Sequence, residues 1–122
     1  MPTISAAHSP VFDTGNAVIT GLVSPSRGAH DVAAWRIRFG PDAPSPTHSL
    51  TREETFLVLS GTLDARYADH VETAGPGDAL IVPAEVEFSI TASRGPAEAI
   101  CVMPVGGEAV TAHGTSVPPW AQ

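Results

Sequence analysis

Thr47-His48-Ser49-Leu50-Thr51-Arg52-Glu53-Glu54-Thr55-Phe56-Leu57-Val58-Leu59-Ser60-Gly61, followed shortly by Gly75-Pro76-Gly77-Asp78-Ala79-Leu80-Ile81-Val82-Pro83-Ala84-Glu85-Val86-Glu87-Phe88, is the stretch that decides the fold. In an extended chain alternate side chains share a face, so Glu54, Phe56 and Val58 point one way while Leu57 and Leu59 point the other. Pro76 presets the backbone of a turn, Gly77 tolerates a positive φ, and Asp78 accepts backbone hydrogen bonds before the apolar run Ala79 to Val82. Beyond Pro83, Glu87 to Ala92 alternates again, with Phe88, Ile90 and Ala92 on one face.

The same grammar extends outward from this stretch. Ala17 to Val23, Ala33 to Phe39, Glu54 to Leu59, Thr62 to Ala68 and Glu98 to Met103 read as further short strands. The segment Gly40-Pro41-Asp42-Ala43-Pro44-Ser45-Pro46 cannot join a central ladder, because its prolines lack the N–H that a ladder needs. Tyr67-Ala68-Asp69-His70-Val71 is a candidate hairpin connection. Glycines and prolines fall too close together for a helix of several turns. About eight strands with turn signals between them predict an all-β fold, a double-sheet jelly roll or small barrel. It is expected to occupy residues 1–122 as one domain, with its core at about 33–103. The tail, Gly114 to Gln122, has polyproline character, and its Trp120 is expected to pack on its own barrel or on a second subunit. Leu57 and Leu59 make a strand apolar on both faces, which must be covered on both, either by the second sheet or by a neighbouring chain.

Composition bounds the function. Thirteen acidic against six basic residues give a net charge of −7, the wrong sign for gripping a phosphate backbone, so nucleic acid is not expected as a partner. No apolar run approaches the roughly 20 residues of a membrane span. The single cysteine, Cys101, excludes an internal disulfide and suits a reducing cytoplasm. No cationic start or apolar run of signal length opens the sequence.

Glu54 followed after six residues by Gly61, and Gly77 followed after five by Pro83, resemble the paired motifs of the cupin family. The resemblance implies a cupin-type double-stranded β-helix, a jelly-roll barrel like that of small bacterial single-domain cupins, and a homodimer paired through sheet faces or exchanged N-terminal strands. His48 and Glu54 match the family's first histidine and its glutamate, which in the family bind a metal. Leu50 replaces the second histidine and Phe88 the third. Asp42 stands where the first motif usually opens with glycine, Glu85 where the second has glycine after proline, and Ala92 where it has asparagine. Scaffold positions match better than chemical ones.

If the resemblance holds, Leu50, Phe56, Val58, Phe88 and Ile90 line an apolar pocket bordered by His48 and Glu54, suited to a small organic molecule more than to a hydrated ion. No resident cofactor is expected. A divalent iron, zinc, manganese or nickel is the alternative, and it needs a third ligand from His8, His30, His70, His113 or Cys101. As catalytic residues, His48 is the candidate general base and Glu54 the carboxylate that orients its ring, which suits metal-independent isomerisation, epimerisation or cyclisation beside a carbonyl. Three functions stay open: that chemistry, a metal-dependent oxygenase or isomerase using unconventional ligands, and a non-catalytic ligand-sensing or structural protein. Arg36 and Arg38 share a face of their strand, either outward in ion pairs or reaching a ligand carboxylate. Tyr67 is expected as a packed strand residue.

Overall fold

Strict alternation of buried and exposed residues builds the main layer. In the computed structural model, which describes residues 2–122, the strands are β1 (Val11–Asp13), β2 (Ala17–Val23), β3 (Val32–Phe39), β4 (Ser49–Leu50), β5 (Glu54–Ser60) and β6 (Leu63–Arg66). They continue as β7 (Val71–Ala74), β8 (Ala79–Val82), β9 (Ser89–Thr91), β10 (Ala97–Pro104), β11 (Ala109–Thr111) and β12 (Gly114–Ser116). One sheet runs β1-β2-β3-β10-β5-β8; two smaller ones run β7-β6-β9 and β12-β11-β4. Every ladder between strands is antiparallel. Placing β10 between β3 and β5 requires long connections between sheets, as a jelly roll does. Only three short 3-10 turns interrupt the strands, and among the described residues no helix is long and apolar enough to cross a membrane.

The core lies between the large sheet and the β7-β6-β9 sheet. Ala33, Trp35, Ile37 and Phe39 from β3 and Ala99, Cys101 and Met103 from β10 point inward. Leu63 and Ala65 of β6 and Ile90 of β9 face them. Leu63, Phe88, Ile90, Val82, Met103 and Cys101 are almost wholly removed from water, and each large side chain among them contributes about 1.5–3 kcal/mol by burial.

Twelve strands form where the sequence located seven of about eight expected. The additional ones, β1, β4, β7, β11 and β12, are at most four residues long and too short for alternation to announce them. Thr62 to Ala68 shortens to β6, and Tyr67 sits in the β6–β7 hairpin loop, not in a strand. There the Tyr67 N–H donates to the His70 carbonyl at 2.9 Å, and the two rings stack with centroids 4.8 Å apart. The proline-rich segment lies along β9. The Asp42 N–H donates to the Ala92 carbonyl, the Ser45 N–H to that of Ile90, and Ser45 Oγ accepts from the Ile90 N–H, each at 2.9 Å. Prolines at 41, 44 and 46 leave donors free only between them, enough for an edge contact but not for a ladder.

Arg36 and Arg38 point outward to Glu98, at 3.1 and 3.9 Å, so neither is placed to meet a ligand in the barrel. The tail folds back on its own barrel: Pro119–Ala121 form a 3-10 turn, and the Trp120 ring lies 5.9 Å from Phe12 and 6.4 Å from Trp35. Turn geometry follows the sequence at Gly75 to Asp78, where the Asp78 N–H donates to the Gly75 carbonyl and Gly77 has φ +88°.

Two residues without that freedom take positive φ: Asp42 at +53° and Glu85 at +66°. Both occupy positions where the resemblance places glycine. A left-handed conformation costs a residue with a Cβ roughly 1–2 kcal/mol. Glu85→Gly is therefore expected to raise the free energy of unfolding by about 1 kcal/mol, read from urea denaturation midpoints at constant slope; an unchanged or lower midpoint would show that the glutamate is not strained there.

Candidate functional site

A cavity of about 300 Å³ opens inside the barrel. At about 30 Å³ per water molecule it holds on the order of ten water-sized groups, room for a one- or two-ring organic molecule. Glu54 and Phe56 reach it from β5, Leu50 from β4, Trp35, Ile37 and Phe39 from β3. Phe88 and Ile90 close it from the opposite sheet. His48, hydrogen-bonded through its backbone to Phe88 in both directions, is thereby fixed beside the Phe88 ring, with centroids 4.5 Å apart. Val58 is buried on the same face as Glu54 and Phe56 but does not line the cavity, since β5 carries it past the cavity floor.

The residues that the sequence did not single out form the rim and one wall. Trp120 and Pro118 of the tail, and Thr14, Asn16, Ser45 and Thr111 from loops and β11, are among them. None carries a local signal of this role; only tertiary contact brings them together.

Glu54 decides the electrostatics. It is 6 % exposed, and its carboxyl makes no hydrogen bond to any other described residue. Because no fully enclosed side-chain oxygen lacks a partner among the described residues, its oxygens must reach the cavity space. Burial penalises the charged form and pushes its pKa up to about 8. At neutral pH it is a protonated acid, able to donate.

This corrects the expected pairing. The Nδ1 of His48 lies 2.7 Å from the Pro46 carbonyl and so carries a proton, because a carbonyl oxygen only accepts. The backbone, not Glu54, orients the ring. In the neutral tautomer Nε2 then holds the lone pair. Cys101, behind Phe56 and Trp35 in the sheet register, has its thiol pKa raised first by burial and then by Glu54. It is inert as a nucleophile and does not line the cavity.

A metal of the kind that histidine-rich barrels hold needs three protein donors. Among the described residues no group of three His, Cys, Asp or Glu side chains could hold a metal ion. His8, His30, His70 and His113 are exposed and away from the cavity. The donor set is one imidazole and one protonated carboxyl facing Leu50 and Phe88, and it does not fit such a metal.

The chain belongs to the cupin family: residues 35–103 match the cupin domain. No protein with a curated function matches it. Among solved structures, the polyketide cyclase RemF from Streptomyces resistomycificus superposes with a TM-score of 0.73 at 19 % identity, over 85 % of this chain and 79 % of that one. An RmlC-like cupin from Shewanella frigidimarina gives 0.69 at 17 %, over 83 % and 87 %. Oxalate decarboxylase from Bacillus subtilis, a protein with Mn(II) centres, gives 0.74 at 18 %. This chain covers 83 % of its own length there and spans 28 % of that enzyme. At these identities the likeness is one of fold.

Proposed function

We propose that this cupin binds a small organic molecule in the barrel cavity and catalyses metal-independent proton transfer beside a carbonyl, of the isomerase, epimerase or cyclase type. The observation that carries this reading is the pairing, in one apolar cavity, of an imidazole oriented by backbone with a buried carboxyl that has no protein partner and whose pKa burial raises to about 8. His48 Nε2 takes the proton from the carbon next to the carbonyl. The C–H electron pair becomes a C=C bond, the carbonyl π pair moves to oxygen, and the Glu54 O–H delivers its proton there. The products are an enol, an imidazolium and a carboxylate; delivery of the imidazolium proton to a different carbon or face, as the enol O–H proton returns to Glu54, completes isomerisation, and attack of the enol carbon on a second carbonyl, whose oxygen takes the imidazolium proton as the enol O–H proton returns to Glu54, completes ring closure. Oppositely matched acid and base groups in one site are the usual means of running both steps near neutrality.

The test is deuterium exchange at the α-carbon of a panel of enolisable ketones, followed by NMR with a chelator present. Acceleration by the protein, lost in His48→Ala, is the expected outcome. Equal exchange with His48→Ala would sink the catalytic part, and exchange abolished by chelator alone would favour the metal-dependent alternative. A purely structural role finds less support, because Phe56 and Phe88 leave the cavity open instead of filling it. A buried, inert thiol suits a reducing cytoplasm, and the net charge of −7 weighs against nucleic acid.

The outer face of the large sheet supports a homodimer. Leu57, Leu59 and Ile81 are 43, 47 and 60 % exposed, and Ile100 stands opposite Leu57 in register. Arg36 beside them pairs with Glu98 at 3.1 Å, and Arg38, 69 % exposed, can keep its charge in water at the rim, so two such faces can meet through their apolar residues. Light scattering is expected to give twice the chain mass for the native protein and the chain mass for Leu57→Asp/Ile81→Asp; a monomer at all concentrations would refute the dimer.

A further inference from the structure

Charge inside the barrel restricts what can enter. The chain holds six basic residues, all arginines, and none lines the cavity. Arg27 is spent on the N-terminal segment, donating to the carbonyls of Leu22, His8 and Ser5 and to Ser9 Oγ. Arg36 and Arg38 face outward to Glu98, and Arg52, Arg66 and Arg94 are exposed elsewhere. His48 is the one lining side chain able to become cationic, and its Nδ1 proton is committed to the Pro46 carbonyl.

Glu54 works against anions in either state. Ionised, it repels them; protonated, it donates one hydrogen bond and brings no positive charge to offset the water an anion must shed. A carboxyl that is more than nine-tenths buried, aimed into a cavity and without a partner among the described residues leaves a hydrogen bond for the ligand to complete. The remaining walls are Trp35, Phe39, Phe56, Phe88 and Trp120 with aliphatic groups between them, which favour flat or compact rings.

We propose that the ligand is an uncharged, ring-bearing carbonyl or hydroxyl compound of one or two rings, anchored through its oxygen to Glu54, and that carboxylates and phosphates are excluded. This rests on the small-molecule reading above and narrows it.

Both tryptophans of the chain, Trp35 and Trp120, line the cavity, so intrinsic fluorescence reports on its occupancy, with titration calorimetry as a second readout. The probes are 1-decalone and 1-tetralone, compared at about pH 7 with the carboxylates of the same ring systems. The ketones are expected to bind roughly tenfold or more tighter than their anionic counterparts, because a carboxylate must shed its water with no cation to meet it. Glu54→Leu is expected to lower ketone affinity by about tenfold, the worth of one buried hydrogen bond. Carboxylates binding as well as ketones would overturn the ligand class while leaving the pocket a binding site. Ketone affinity unchanged in Glu54→Leu would overturn the anchor. No binding of either series up to millimolar concentration would overturn the small-molecule reading itself, together with the class.

Discussion

Glu54→Gln is expected to remove most of the pH dependence of stability between about pH 4.5 and 8. In the folded chain the Glu54 pKa is raised from 4.5 to about 8, so folding takes up a proton across that interval. The associated stabilisation is present in full below about pH 4.5, declines as the pH rises, and is gone above about 8. At about 1.4 kcal/mol per unit the total change approaches roughly 5 kcal/mol, against a whole stability of about 5–15 kcal/mol. Glutamine keeps the shape and the polar anchor but cannot ionise. Urea denaturation of both proteins at several pH values should therefore show curves that meet near pH 4.5, with the variant several kcal/mol more stable at about pH 8.5. The difference between the two curves isolates Glu54 from His70, whose pKa is also raised, mainly through Asp69, but whose side chain is half exposed. Parallel curves would mean that Glu54 ionises in the fold with a partner, and the acid role assigned to it would fall.

The same proton sets the working range of the site. A protonated Glu54 donates to a ligand oxygen, and an ionised one offers only repulsion to it. Affinity for a neutral ketone is accordingly expected to fall as the pH rises through about 8, where stability falls too. Binding and folding are linked through a single group, and a bound ligand that accepts from Glu54 would push its pKa higher still.

Strand identity was legible where alternation was strict and long enough to exclude other periods. β2 and β8 were delimited to the residue, and β3 and β5 to within one. Short strands escaped: Ser49–Leu50 and Gly114–Ser116 contain too few residues for a period to show. Of the site, the inward set on β5 and the Phe88 and Ile90 wall follow from the twofold repeat of an extended chain. His48 and Glu54 were picked out as a pair, but their relation was not legible. Whether an imidazole donates to a side-chain carboxylate or to a main-chain carbonyl depends on where Pro46 turns, and every residue carries a carbonyl, so composition holds no trace of it. The tail is a similar case. Pro118-Pro119-Trp120 announces an extended aromatic segment, but only the β2–β3 surface it meets makes Trp120 a wall of the cavity.

Gly61→Ala is expected to destabilise the fold by roughly 3–5 kcal/mol, because it breaks two rules at one position. Its φ of +74° lies where an L side chain is strained, and a Cβ there would overlap the Pro96 carbonyl and stand 2.7 Å from the Ala97 Cα. Both obstacles are backbone, one at the end of the β9–β10 connection and one at the first residue of β10, and cannot rotate away. Gly77 has a comparable φ of +88° but open space around a Cβ, so Gly77→Ala should cost only the conformational part, about 1–2 kcal/mol. Asp42 and Glu85 show that the chain already tolerates that smaller cost at two places where the family resemblance puts glycine. The motif glycines thus divide by mechanism: those that supply only a left-handed turn are replaceable, and Gly61, which also lets two strands approach, is not. Equal losses for Gly61→Ala and Gly77→Ala in matched denaturation curves would remove that distinction and leave torsion alone as the reason for both.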